Sequence, residues 1–126
     1  MGLKFQPKPG MVLICDFRGF EEPEMVKRRP VVVVASNPDT DQLVTVVPLS
    51  KSPPQRYRAW HYALTAPLVP LSGGAPIWAK CDILHTFSTA RLDPIRITRN
   101  YYAAVQMAPV DYAGVHRAVR AWLRKR

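Results

Sequence analysis

A mainly β fold closed by one C-terminal helix is what this sequence predicts, and three observations predict it. Thirteen prolines and six glycines cut the chain into short runs rich in Val, Ile, Tyr, Phe and Thr, the pattern of a small barrel or sandwich. Apolar residues recur at three- and four-residue steps only after Pro109, which confines the helix to the end. A length of 126 residues with 48% apolar and 21% charged side chains suits one domain that buries its core without disulfides or metal.

Met11 to Phe17 is the first predicted strand, entered from the Pro9-Gly10 turn. Gly19 to Lys27 follows as a loop holding Glu21, Glu22, Pro23 and Glu24. Val31 to Ser36 opens with four valines and does not alternate, as expected of a central strand covered on both faces. Asn37-Pro38-Asp39 supplies a turn into a third, β-branched strand from Leu43 to Ser50. After the Lys51 to Gln55 loop, Tyr57 to Thr65 alternates as a fourth strand, and Pro67 to Pro76 with Gly73-Gly74 is the longest irregular stretch. Ile77 to Leu84 is the fifth strand, Thr86 to Leu92 a short edge element, and Tyr101 to Met107 the last strand. From Pro109 the residues Tyr112, Val115, Val119, Trp122 and Leu123 make one apolar helical face. Pro109 suits the first helical position and Asp111 the first turn, while Arg117, Arg120, Arg124, Lys125 and Arg126 load the end that favours cations.

Eighteen Lys and Arg against nine Asp and Glu leave a charge of +9, which fits a polyanionic partner such as nucleic acid. Nine basic and six acidic residues give +3 over 1–63, and nine and three give +6 over 64–126, so the second half is the better candidate for a phosphate-tracking face. No apolar run is long enough for a transmembrane helix, and Pro7 and Pro9 interrupt any signal-peptide core, so a cytoplasmic protein with no membrane partner is expected. Cys15 and Cys81 lie in strand-like runs with no Cys or His at ligand spacing and read as buried free thiols. His61, His85 and His116 stand alone, so no metal and no cofactor is expected, and no Gly-rich phosphate loop or nucleophile elbow occurs.

The polar residues at the strand edges carry the chemistry. Pro9-Gly10 with Val12, Asp16 and Phe17, then Arg29-Pro30-Val31-Val32-Val33-Val34, then Val46-Val47-Pro48-Leu49-Ser50, then Trp78-Ala79-Lys80-Cys81-Asp82, come in that order over residues 8 to 92. In this the sequence resembles the PemK/MazF family of type II toxin-antitoxin toxins. The resemblance implies an SH3-like small β-barrel of the CcdB/Kid/MazF type with a C-terminal helix. The whole chain, 1–126, is then one domain, a barrel over about 8–107 and a helix over about 109–125. It also implies a homodimeric growth inhibitor that cleaves single-stranded RNA at selected sequences without metal. A cognate antitoxin would hold it in check, and the toxin-antitoxin complex would bind operator DNA.

Residue by residue, the resemblance places the central catalytic Arg at Arg29, a hydroxyl donor at Ser50, an acid at Glu24 and the basic-Cys-Asp triplet at Lys80 to Asp82. Lys80 stands where Arg is common, His85 where another basic residue is, and Pro23 where some members carry His. Cleavage through the neighbouring 2'-OH needs a base, cations for the phosphorane and an acid for the leaving 5' oxygen. Glu24 or Asp82 can be the base, Arg29 the clamp, Ser50 a donor to the phosphate, and Lys80 or His85 the group that assists departure. Lys27, Arg28, Lys51, Arg56, Tyr57, Trp78 and His85 are the expected RNA contacts, with Tyr57 and Trp78 offered for base stacking. Blander roles stand beside these: a Glu24 pair for Arg29, a strand-end pair for Asp82, a turn cap for Ser50 and core packing for the aromatics. His61 and His116 are assigned no role. Two other functions fit the same fold, a non-catalytic nucleic-acid-binding module and a gyrase poison. The second is at odds with the Arg124-Lys125-Arg126 end, where such poisons are apolar.

Overall fold

The computed structural model describes residues 3, 5–19 and 28–124. Ten strands, two α-helices and one 3-10 turn appear in the order β1 Met11–Asp16, β2 Arg28–Ser36, β3 Leu43–Ser50, β4 His61–Ala63, α1 Val69–Ser72, β5 Trp78–Lys80, β6 His85–Ser88, the turn Thr89–Arg91, β7 Leu92–Asp93, β8 Ile95–Thr98, β9 Tyr101–Ala103, β10 Val105–Gln106 and α2 Pro109–Arg124. Eight strands form one antiparallel sheet in the order β10-β1-β2-β3-β5-β4, with β6 also on β3 and β7 also on β1; β8 and β9 form a separate hairpin. Among the described residues the ladder does not close on itself. β3 forks instead, its first half pairing with β6 from Leu43↔Ser88 to Val46↔His85 and its last two residues with β5 through Leu49↔Ala79 and Ser50↔Trp78. The barrel expected from the resemblance is thus an open sheet, and α2 packs across it.

The valine run explains the layering. Val32, Val47 and Leu49 enter one buried cluster with Val12, Met107 and the α2 residues Val115, Ala118 and Val119. Val31 and Val33 enter the other, with Leu13, Cys15, Phe17, Val46 and Phe87. Consecutive side chains of a strand point to opposite faces, so an unbroken apolar run serves two cores at once. A bulge between Val33 and Ala35 shifts the β2–β3 register, and the carbonyl of Val34, set at that irregularity, accepts from the Tyr112 hydroxyl of α2 at 3.2 Å.

Asp111 ties the start of α2 to the chain between β4 and α1. It is 1% exposed and accepts from the Tyr62 hydroxyl (2.8 Å), the Thr65 N–H (2.9 Å), the Thr65 hydroxyl (2.8 Å) and the Ala66 N–H (3.0 Å). Burial on its own pushes this carboxyl up, but the four donors outweigh it and hold the group below its ordinary value. Gly114, one turn on, has to be glycine because a Cβ there would fall on the Tyr62 ring.

Several expected elements are shorter than the pattern suggested. The fourth strand keeps only His61–Ala63, and the fifth only Trp78–Lys80 before a turn. The irregular Pro67 to Pro76 stretch contains α1, and the β8–β9 hairpin was not foreseen. Cys15 and Cys81 are free and buried, and burial pushes each thiol up to about 12.

Candidate active-site cleft

The first pair in the β2–β3 register is Val31↔Pro48. Two positions further along both strands, Arg29 comes level with Ser50, and both line one cleft of about 220 Å³. Lys51 completes its polar rim, and Ile14, Pro30, Leu49, Leu71 and Ile77 form its apolar wall. The position of Arg29 follows from pairing: it faces Cys15 across β1–β2, and Cys15 is fully enclosed. The Ser50 oxygen accepts from the Ser52 N–H at 3.1 Å, so the turn-capping role is real. That bond also fixes the oxygen and leaves the hydroxyl hydrogen to donate. Leu71 comes from α1, which is how the long Pro67 to Pro76 stretch reaches the site.

Beside the cleft, Trp78 is the cross-strand partner of Ser50. Tyr57, 59% exposed, stands edge-on to Trp78 with ring centres 5.5 Å apart. Trp60 packs instead against Trp122 of α2 at 5.3 Å. Lys80 and Asp82 are not among the residues lining the cleft. Lys80 pairs with His61 across β4–β5, and Asp82 Oδ1 lies 3.8 Å from His61 Nε2.

The other expected contacts divide. Arg28 forms an ion pair with Asp93 at 3.1 Å, within a group where Arg18 grips Asp16 and Arg91 donates to the carbonyls of Asp16 and Arg18. The side-chain bond from Arg18 holds Asp16 well below the usual carboxylate range. His85 stacks on Phe87 at 5.2 Å and meets Phe17 edge-on, against two rings of the second core cluster rather than at the cleft. Arg56 is exposed on the segment before β4. Glu24 and Lys27 lie outside the described residues. Among the described residues no group of His, Cys, Asp or Glu could hold a metal ion, and no helix is long and apolar enough to cross a membrane.

The model of the PemK-like, MazF-like toxins of type II toxin-antitoxin systems matches residues 8–123. The chain belongs to this family. Among solved structures, the MazF of Deinococcus radiodurans is similar at a TM-score of 0.68 and 18% identity, over 97% of this chain and 100% of that one. A mycobacterial endoribonuclease in complex with its cognate antitoxin is similar at 0.65 and 20% identity, over 93% and 94%. A second mycobacterial endoribonuclease gives 0.62 and 21%, over 94% and 91%. These likenesses establish a MazF-like fold. No curated protein sequence matches. Within the MazF-like frame, two features escaped sequence reading. Leu71 lies in a segment that its prolines and glycines mark as irregular, and His61 carries no motif, since a lone histidine on a short strand gives no signal of what faces it.

Proposed function

We propose that this toxin is an endoribonuclease that cuts single-stranded RNA without a metal ion. The observation that carries the reading is the meeting of Arg29, Ser50 and Lys51 on the rim of one cleft whose wall is apolar. The Arg29 fork and the Lys51 ammonium match the oxygens of one phosphodiester, and the Ser50 hydroxyl adds a neutral donor. The apolar wall suits the face of an adjoining unstacked base, and Tyr57 with Trp78 offers a second stacking surface beside it.

In the reaction, a carboxylate takes the proton of the ribose 2'-hydroxyl as that oxygen bonds to phosphorus. The bond from phosphorus to the 5' oxygen breaks, and an acid delivers a proton to that oxygen. The products are a 2',3'-cyclic phosphate and a 5'-hydroxyl. Glu24 or Asp82 is the base, and Lys80 assists the leaving oxygen. Arg29, Ser50 and Lys51 hold the charge that builds on the phosphorane, where preorganised donors contribute most. The toxin works in the cytoplasm as a homodimer, restrained by an antitoxin that covers its basic RNA surface. The mycobacterial endoribonuclease of similar fold is in complex with its cognate antitoxin.

The test is incubation of the protein in EDTA with a long single-stranded RNA, beside an Arg29→Ala variant. Discrete cuts with 5'-hydroxyl ends are expected, and Arg29→Ala should lose about a hundredfold or more in rate, as for removal of one oxyanion donor. Wild-type cleavage by Arg29→Ala, or cleavage that EDTA abolishes, overturns the reading.

A further inference from the structure

His61 is 10% exposed at its side chain and has a polar group near each ring nitrogen. Its Nδ1 accepts from the backbone N–H of Arg58 at 3.0 Å. In the neutral ring this acceptor role puts the hydrogen on Nε2, since the bond at one nitrogen decides the tautomer at the other. Nε2 in turn is 3.8 Å from Asp82 Oδ1. That oxygen is enclosed and has no hydrogen-bond partner among the described residues, while the Asp82 side chain as a whole is 32% exposed. A donor thus stands 3.8 Å from an orphaned acceptor, on a carboxylate whose side chain is in part exposed. Buried acceptors left without partners are rare and costly, and catalytic hydrogen bonds are often long before substrate arrives.

We propose that His61 is a positioning residue for Asp82: its Nε2–H takes up Oδ1 when RNA binds, which aims the outer oxygen at the 2'-hydroxyl. The inference rests on the endoribonuclease reading above, with Asp82 as the group that touches the reacting ribose. Five neighbours face the ring. Asp82 favours its protonation, Lys80 across the strand pair and Arg58 oppose it, and the Tyr57 and Trp60 rings lie 6.2 and 6.3 Å away. Burial is the largest influence and, with the two cations, lowers the ring below its ordinary value, so it works as a neutral donor. A second proton would also have to go on Nδ1, where the Arg58 N–H already points.

The experiment compares kcat and KM on a short RNA for wild type, His61→Leu, His61→Gln, Asp82→Asn and the double variant His61→Leu/Asp82→Asn. A hydrogen bond to a charged group corresponds to about a ten- to hundredfold effect, so His61→Leu should lose that much in kcat with KM nearly unchanged. His61→Gln, which can accept from Arg58 and donate to Asp82, should recover most of it. The double variant should be no slower than Asp82→Asn alone. An active His61→Leu, a His61→Gln as poor as His61→Leu, or losses that add in the double variant would each overturn the proposal. Nitrogen NMR of His61 separates this from failure of the nuclease reading. If no RNA is cut, the ring should still be the Nε2–H tautomer at pH 7, and its titration should still move to lower pH in Asp82→Asn. The Nδ1–H tautomer, or a titration indifferent to Asp82→Asn, refutes the contact whatever the activity.

Discussion

Replacing Asp111 by Asn tests the joint between helix and cleft. The carboxylate accepts four hydrogen bonds while almost wholly enclosed. Asn keeps one carbonyl oxygen, which in the place of Oδ1 still accepts from Tyr62 and Thr65 but as a neutral group, and it sets an NH2 against the Ala66 N–H that Oδ2 accepted. Thr65 is exposed, so water makes good its weakened bonds. At about 1.5 kcal/mol for the lost bond from half-buried Ala66 and about as much for the charge withdrawn from the Tyr62 bond, the change costs about 3 kcal/mol, or about 10 °C in Tm for a chain of this size. The sign with pH follows from the lowered carboxyl. Its contribution is complete above the ordinary value of 3.8 and fades as pH falls through the lower value of the folded state. Urea denaturation at pH 7 should show Asp111→Asn less stable by about 3 kcal/mol, with the gap to wild type closing below about pH 4. Equal midpoints at pH 7, or a gap that persists undiminished into strong acid, would refute the reasoning.

Three other outcomes are expected. Gly114→Ala gains about 1 kcal/mol in helix propensity but forces the Tyr62 ring away, so thermal denaturation should show a net loss of about 1–2 kcal/mol; a stabilised variant would contradict the close approach. Leu71→Trp fills the cleft from its α1 side, and since a base contact is worth about 1–3 kcal/mol, RNA affinity should fall about tenfold or more with Tm little changed. Unchanged affinity would remove the base from the cleft. Cys15 and Cys81, both enclosed and pushed up to about 12, should react with a thiol reagent at pH 8 only on unfolding; rapid labelling of the native chain would count against their burial.

What was legible in advance was whatever depends on local pattern. The double-faced valine strand, the strand Leu43–Ser50, the helix from Pro109 and the two buried thiols all follow from hydrophobicity and spacing. The β8–β9 hairpin escaped because its turn, Arg99-Asn100, has no glycine, and Pro94 just before it reads as a break. α1 escaped because Pro67, Pro70 and Gly73-Gly74 surround and interrupt it. The forking of β3 depends on which later segments dock on each half, which no local signal encodes. At the site, Arg29 and Ser50 follow from motif order and Lys51 from its place among the expected RNA contacts, and the register accounts for the meeting of Arg29 with Ser50. The contacts of Arg28 with Asp93 and of His61 with Asp82 join residues distant in sequence, so charge counting cannot find them.

The rung that joins Cys15 to Arg29 has a further consequence. The thiol end of that rung is sealed in the core, so the main chain bearing the guanidinium belongs to the part of the molecule least given to local opening. Capturing a phosphate then requires only the torsions of the arginine side chain to settle, about 2 kcal/mol of rotamer freedom at most. The backbone beneath was ordered when the protein folded, and the clamp is as durable as the core itself.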